Sequence, residues 1–506
     1  MATFGGPADT LRAMPLPDLS RLADRKDLLR DLGLSLKRLG VSLAAAAPIV
    51  AAASDLPPAQ RKPIRAFHLR RMKEPRAVAM RLFLFADPVS AEEAKGALGD
   101  VTPLLDAGLI ERRADGSLTS PFEMSLLDDL YLLQDHLARG EDAVMGFSEA
   151  TITMCRAAFP REQVGRVLDL GCGSGTGALL LARNARASVG TDINPRAIAL
   201  AHVNLALNDL RGVDLRVGDK FAPVAGETFD LIVSQPPFVA QPANAPDAAY
   251  LYGGRRGDEL AFDILQQTVA HLTPGGRAVL LVEWPEPGDG PLQARLRKAL
   301  GPGANLLVLR APDLDVDGHA VAYAAAMHPS LGADFEAEAI ARREHFEREG
   351  IRSLAPTLTI VERTRDGSSG WTATLPTQPF AKIEATSERI DKLLAGRSLA
   401  SNRTKLLASK LRVPEGTVFA QEQVGPGSEV PSTLHARFAP HALLPKLDLS
   451  VEQLGLATCV HEAETVRAGV VRLAEMMGMT PEHALVEIGK AAEEALRHGL
   501  LEVADV

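Results

Sequence analysis

Residues 167–177 read Val-Leu-Asp-Leu-Gly-Cys-Gly-Ser-Gly-Thr-Gly. An apolar segment followed by Gly171, Gly173 and Gly175 predicts a strand that ends in a sharp turn and feeds a helix. Missing side chains let the backbone turn there and approach a ligand. Around this run short β-branched segments at 167–170, 188–191, 214–217, 229–234 and 277–283 alternate with helical ones at 177–184, 195–208 and 258–272. That alternation predicts a doubly wound parallel α/β sheet. A sixth strand at 306–310, a helix at 334–349 and an antiparallel last strand at 357–363 would complete it, closing the core near residue 376.

At 506 residues the chain exceeds one ordinary core, and a spacing of about 150 residues per domain gives roughly three. The expected division is 1–145, 146–376 and 377–506. In the first part, Leu28, Leu29, Leu32, Leu36 and Leu39 recur at helical spacing. The alanine-rich run 41–53 is expected as a buried helix, too short to span a bilayer, and Pro57-Pro58 breaks the chain. Ser90 and Glu93 form a capping box, and Asp115-Gly116 marks a hairpin turn. Helices followed by a two-stranded wing predict a winged-helix-like domain, expected to pack or dimerise rather than bind nucleic acid. Its basic run Arg61, Lys62, Arg65, Arg70, Arg71, Lys73, Arg76 and Arg81 reads as a solvated helix face. The last part has a Gly/Pro/Ser-rich interruption at 425–432, helices at 466–476 and 481–498, and Gly499-Leu500-Leu501-Glu502. It is expected as an α+β winged-helix-like accessory domain.

A net charge of −9 argues against a protein that coats nucleic acid by charge alone. Cys155, Cys172 and Cys459 have no paired spacing, and Cys459 with His461 has no further metal-ligating partners. Neither a disulfide framework nor a metal site is expected, and a reducing cytoplasm fits best. The N-terminus lacks the basic start and apolar core of a signal peptide, and no membrane association is expected.

Gly173-x-Gly175-x-x-Ala178 with Asp192, 19 residues on (192 − 173), also fits a dinucleotide fingerprint. The glycine run therefore leaves NAD and S-adenosylmethionine both open. Three features favour S-adenosylmethionine. Asp169 puts a carboxylate beside the turn, which suits a cationic amino-acid moiety better than a pyrophosphate. Gly218-Asp219 follows the third strand, and 57 residues beyond the glycine run (234 − 177) the fourth strand ends in Ser234-Gln235-Pro236-Pro237-Phe238.

On these residues the stretch 146–330 resembles class I S-adenosylmethionine-dependent methyltransferases of the Asn-Pro-Pro-Tyr/Phe type, among them protein-glutamine and RNA-base N-methyltransferases. The whole chain is similar in pattern to a little-characterised bacterial group with winged-helix-like flanks. The resemblance implies a Rossmann-like, seven-stranded methyltransferase sheet. It implies cofactor contacts at Asp169, Gly171, Gly173, Gly175, Thr176, Asp192, Ile193, Asp219, Lys220, Phe221 and Gln235. Gln235, Pro236 and Phe238 would position the reacting group. Phe147, Thr151, Phe238, Tyr250, Tyr252 and Arg255 would border the substrate, the last three in a Gly-Gly-x-x-Gly-Asp loop, 253–258, and the residues before it.

The chemistry accounts for the residue types. A planar NH2 has a delocalised lone pair, and accepting its hydrogens with a side-chain carbonyl and a proline-stiffened backbone carbonyl points the nitrogen at the methyl group. An aromatic face stacks on the substrate plane. Gln235 stands where the family has Asn or Asp, which moves the amide out by one methylene. The expected activity is N-methylation of a small molecule or peptide. Methylation of an RNA base or of a glutamine in a ribosome-associated protein is the alternative, and a non-catalytic S-adenosylmethionine-binding regulator is a third.

Overall fold

The apolar run Phe229–Ser234 is buried at nearly every position, as a strand covered on both faces must be. It lies in the middle of a large sheet. The computed structural model describes residues 16–56, 58–135, 142–243, 250–286, 290–328, 331–384, 386–422 and 433–504. Pro57 and the interruption at 425–432 lie outside the described residues. The chain divides into two compact units, 1–308 with 313–373, and 309–312 with 374–506.

The sheet strands of the first unit are β1 (Val164–Leu170), β2 (Ala185–Asp192), β3 (Val213–Val217), β4 (Phe229–Ser234), β5 (Leu272–Glu286), β6 (Ala304–Arg310), β7 (Leu314–Asp315) and β8 (Ser353–Arg363). Their spatial order is β3-β2-β1-β4-β5-β8-β6, with β7 against β8. Strands β1 to β5 pair in parallel, whereas β8 runs antiparallel to β5 from Ser353 opposite Glu286 to Glu362 opposite Arg277. The expected antiparallel last strand is therefore present. The short β7 and a strand at Thr372–Pro376 bring the sheet to nine strands, against the seven expected. Helices α1 (Glu149–Ala158), α2 (Thr176–Leu181), α3 (Pro195–Leu207) and α4 (Glu259–Thr268) belong to this layer. The strand order reverses between β1 and β4, so the crevice outside the carboxyl ends of those two strands is where a ligand of such a sheet sits.

The region before α1 shares a core with α3. Leu29, Leu32, Leu36, Phe83 and Tyr131 pack in one cluster with Leu200, Val203 and Leu207. A Cβ at Gly33 would lie 1.9 Å from the Leu207 carbonyl oxygen, so only glycine lets helix Lys26–Arg38 approach α3 this closely. Polar groups fix the same contact. Asn204 accepts from Leu133 N–H at 2.7 Å and donates to the Leu133 and Ser174 carbonyls at 3.0 and 2.9 Å. Asn208 does the same for Tyr131, at 2.9 and 2.7 Å. The two amides thus act as a strand partner for the hairpin Glu123–Leu127 with Leu130–Gln134. The wholly buried carboxylate of Asp135 receives Arg196 through Nε at 2.7 Å and Nη2 at 2.6 Å.

Other local expectations divide. The Ser90/Glu93 capping box and the hairpin at Asp115-Gly116 form, with Val89 bridging to Leu118. The alanine-rich helix, Leu43–Ala51, is not buried as expected. Within it only Ala46 is fully covered, and Leu43 and Val50 face solvent, because a helix packed on one side leaves its other apolar positions outside. No single described helix is long and apolar enough to cross a membrane.

In the second unit, helices Thr386–Ala400, Val451–Glu462, Val466–Met477 and Pro481–Arg497 close over a core including Leu406, Leu456, Val470 and Leu496. Leu500 and Leu501 join that core, and Glu502–Val503 pairs antiparallel with Leu411–Arg412. A separate three-stranded sheet joins Val418–Glu422, Thr433–Arg437 and Lys446–Leu449.

Candidate cofactor and acceptor site

The glycine turn after β1 is held by backbone bonds from Gly171 and Cys172 N–H to the Thr191 carbonyl at 2.8 and 2.9 Å. Gly171, Gly173 and Gly175 all have positive φ, at 77°, 53° and 88°. Their reasons for being glycine differ. A Cβ built on Gly171 or Gly173 meets nothing within 4 Å, whereas one on Gly175 comes within 2.8 Å of Leu179 and one on Gly177 within 2.7 Å of the Asp169 carboxylate. The first two therefore line an open cradle, and the last two serve close packing.

Asp169 and Asp192 hold that cradle. Asp169 is buried and accepts from Ala178 N–H in the first turn of α2 at 2.7 Å. Burial pushes its carboxyl up to about 7, with the Asp192 charge adding to the rise and the α2 backbone bonds opposing it. Asp192 closes β2 and accepts from Gly173 N–H at 2.8 Å and from Asn194 N–H at 2.9 Å, one donor on each oxygen. Burial raises its pKa too, against those two bonds. Each oxygen keeps a second lone pair, and hydroxyls are suited to it.

Ile193 beside it is 60% exposed, an aliphatic surface at the same strand end. Asp219 is exposed and sits 3.4 Å from Lys220, which also pairs with Asp263. Phe221 does not reach the crevice with its ring. It is buried and stacked on His271 with centroids 4.3 Å apart, so any ligand contact there runs through its backbone. Thr176 is likewise buried at the start of α2.

At the end of β4, Ser234 Oγ donates to the Leu170 carbonyl at 2.8 Å, locking the two strand ends together. Gln235 follows, half-buried, and its Oε1 accepts from Thr151 Oγ1 at 2.8 Å. Thr151 lies in the first turn of α1, where Ser148 and Thr151 make a reciprocal cap. Phe147, just before it, is half-buried. Phe238 packs partly buried on the cluster that includes Trp284.

The 250–257 loop lies along the segment that follows the tetrad. Val239 N–H donates to Leu251 C=O at 3.1 Å, Gly253 N–H to Val239 C=O at 3.1 Å, and Gln241 N–H to Gly254 C=O at 3.0 Å. A Cβ on Gly253 would sit 2.4 Å from the Pro237 carbonyl, and one on Gly257 2.3 Å from that of Phe238. Tyr250 and Tyr252 are half-buried, with phenols raised above their ordinary range by burial. The Tyr252 hydroxyl accepts from Arg342 at 3.1 Å. Arg255 points away, its side chain 72% exposed and paired with Glu349. Asp258 caps α4 by position but makes no side-chain cap bond; Glu259 instead accepts from Arg256 and Gly257 N–H.

The buried Arg342 had no sequence signal. It pairs with Glu338 at 2.7 Å on helix Ala333–Glu349 and lies over the rings of Tyr252 and Tyr323. Among the described residues no cluster of three or more His, Cys, Asp or Glu is arranged to hold a metal ion.

Residues 150–297 match the family described as "Methyltransferase small domain". The chain is 37% identical over 167 residues to the release factor glutamine methyltransferase of Cereibacter sphaeroides, covering 30% of this chain and 57% of that protein. It is 39% identical over 150 residues to the protein of the same name from Deinococcus radiodurans, covering 26% and 50%. It is 35% identical over 114 residues to ribosomal RNA small subunit methyltransferase C of Haemophilus influenzae, covering 22% and 30%. The chain thus spans about half the length of the glutamine methyltransferases it matches.

Proposed function

Because residues 150–297 form a class I S-adenosylmethionine-dependent methyltransferase domain, we propose that the protein methylates a planar amide nitrogen. A glutamine-type side chain presented by a peptide or small molecule is the acceptor. The observation that carries this reading is the placement of Gln235. Its amide is held by Thr151 at the carboxyl end of β4, beside the open cradle at Gly171 and Gly173.

S-adenosylmethionine, when bound, supplies an electrophilic methyl group on a sulfonium. The open space at Gly171 and Gly173 fits a ligand lying against the backbone, and the free lone pairs of Asp192 fit ribose hydroxyls. Asp169 keeps the turn in shape through its bond to Ala178 N–H, and a cationic ligand beside it would favour its ionised form. The Gln235 carbonyl and the Pro236 backbone carbonyl accept the two N–H groups of the acceptor amide. Its nitrogen then faces the methyl; forming the N–C bond would break the C–S bond and leave a neutral thioether, and the nitrogen would release one of its protons to water. Phe238 stacks on the amide plane, and Phe147, Tyr250 and Tyr252 wall the approach.

Methylation of an RNA base is the second reading, favoured by the name of the Haemophilus influenzae relative and by the basic N-terminal helix. We also assign 1–145 and 377–506 to winged-helix-like accessory domains. For the first, the support is the order of helices Pro75–Leu84, Ala91–Leu98 and Thr102–Asp106 before the hairpin, with Val89 as its third strand. A cytoplasmic location fits three buried cysteines that are all unpaired. Transfer of tritiated methyl to glutamine-containing peptides, with RNA as the parallel acceptor pool, tests the reading. Label in peptide supports it, label in RNA alone favours the second, and cofactor binding without transfer to any pool leaves a regulator.

A further inference from the structure

The helix Pro58–Arg70 turns Ala66 and Leu69 into the core and leaves Phe67 52% exposed. Around that ring the charge is one-sided. Residues 58–76 hold Arg61, Lys62, Arg65, Arg70, Arg71, Lys73 and Arg76 against one acidic residue, Glu74, in a chain of net charge −9. The Arg71 guanidinium lies over the Phe67 ring at 5.5 Å, and His68 meets its edge at 5.9 Å.

Part of the basic run is used internally. Arg81 is buried and bound to Asp87 and Glu93, and Arg70 also pairs with Asp87 while keeping its side chain 56% exposed. Arg71 and Lys73 are exposed and have no ion-pair partner among the described residues. Burial, and then the like charge of Arg61, pull Arg65 below its ordinary value, so cations crowd along this helix. A merely solvated basic face gives no reason for an exposed aromatic under a guanidinium.

We propose that this helix end binds single-stranded RNA. Phe67 and Arg71 form the platform on which an unpaired base stacks, and Arg70, Arg71 and Lys73 contact phosphates. Aromatic faces and guanidinium planes are the surfaces on which splayed-out bases stack. RNA is favoured over DNA because its loops, bulges and ends offer unstacked bases, whereas DNA is chiefly duplex. A membrane surface would call for a broad apolar face. Here the exposed positions flanking Phe67 are Pro63, His68, Arg70 and Arg71.

The test is fluorescence anisotropy of the full chain with a labelled unstructured RNA of about 12 nucleotides, a double-stranded DNA of the same length, and phosphatidylserine vesicles as a competitor. Salt-dependent RNA binding is expected. Phe67→Ala should weaken it by roughly fivefold to a hundredfold, the range for losing one stacked base. Arg71→Ala with Lys73→Ala should reduce the slope of log K against log salt by about 1.4, at about 0.7 per lost phosphate contact. S-adenosylmethionine affinity, read by calorimetry on the same variants, should not move, which separates lost RNA contact from misfolding. It also keeps this inference independent of the methyl-transfer reading. Unchanged RNA affinity in Phe67→Ala, DNA bound as tightly as RNA, or binding to vesicles but not RNA would each overturn it.

Discussion

Thr151 Oγ1 donates to Gln235 Oε1 across 2.8 Å, joining the first turn of α1 to the loop that follows β4. The polarity of this bond follows from its neighbours. Thr151 Oγ1 already accepts from Ser148 N–H at 3.2 Å and lies 3.3 Å from Ser148 Oγ, so its own proton is the one left to give. The Gln235 carbonyl thereby has one lone pair fixed and one free, and its long side chain is steadied by the first turn of α1.

The first prediction concerns that pair. Gln235→Ala should lower methyl transfer by about a hundredfold with cofactor affinity nearly intact, since the lost contact acts on geometry. Thr151→Val, which keeps the shape and deletes the donor, should cost about tenfold. Thr151→Ser should restore most of it. Equal rates in Thr151→Val and the wild type, under single-turnover conditions, would show that Gln235 is placed by its own backbone.

Asp192 holds the turn through two backbone bonds and on the proposed function also receives ribose hydroxyls, so its variants should report both. Removing two ribose bonds of about 1.5–3 kcal/mol each predicts a loss of cofactor affinity of two orders of magnitude or more in Asp192→Ala. Asp192→Asn should be nearly as poor, because its NH2 must face one of the two N–H groups that the carboxylate now accepts. Calorimetric affinity within threefold of the wild type in both variants would remove Asp192 from the ligand site.

Asp169 predicts a pH dependence of stability. Its folded pKa is raised from 3.8 to about 7, so between those values the folded state holds a proton that the unfolded state has lost. Stability therefore falls as pH rises through this window, and the penalty is complete above about 7. The melting temperature of Asp169→Asn should decline less between about pH 4.5 and about 7.5 than that of the wild type. Parallel curves would mean that the carboxyl titrates near its ordinary value.

Much of the sheet was legible in the sequence because buried parallel strands are short apolar runs bounded by glycine and proline, and 229–234 was legible to the residue. The cradle was legible for a similar reason: glycines at alternate positions have few structural explanations. Helix Val316–Met327 was not foreseen. It is alanine-rich and carries an early glycine, and its buried positions, Val316, His319, Ala320 and Ala324, include a histidine that breaks the apolar pattern. Arg342 and the Thr151–Gln235 bond were invisible because each joins residues about 90 apart that only the fold brings together. The shared core of α3 and the N-terminal region leaves one trace in the sequence. Asn204 on α3 and Asn208 at its C-cap, four apart, are both buried where the helix's other buried positions are apolar, the spacing of two polar groups aimed at one neighbour.

Those two asparagines give the last prediction. Asn204→Ala leaves Leu133 N–H and C=O and the Ser174 carbonyl without their partner in a dry environment. A cost of about 3 kcal/mol is expected, from roughly 1–3 kcal/mol per buried group left unsatisfied, partly relieved by relaxation. Asn208→Ala should cost less, because a hairpin still secured at Leu133 limits how far Tyr131 moves. The two should differ more sharply in function. Asn204 alone holds Ser174, inside the glycine turn, so its loss should weaken S-adenosylmethionine binding beyond what lowered stability explains. Asn208→Ala should leave binding intact at temperatures where it is folded. Chemical denaturation paired with calorimetry on both variants reads the two effects separately. Equal losses of cofactor affinity would mean that the Ser174 contact does not shape the turn and that α3 acts on the site only by holding the hairpin in place.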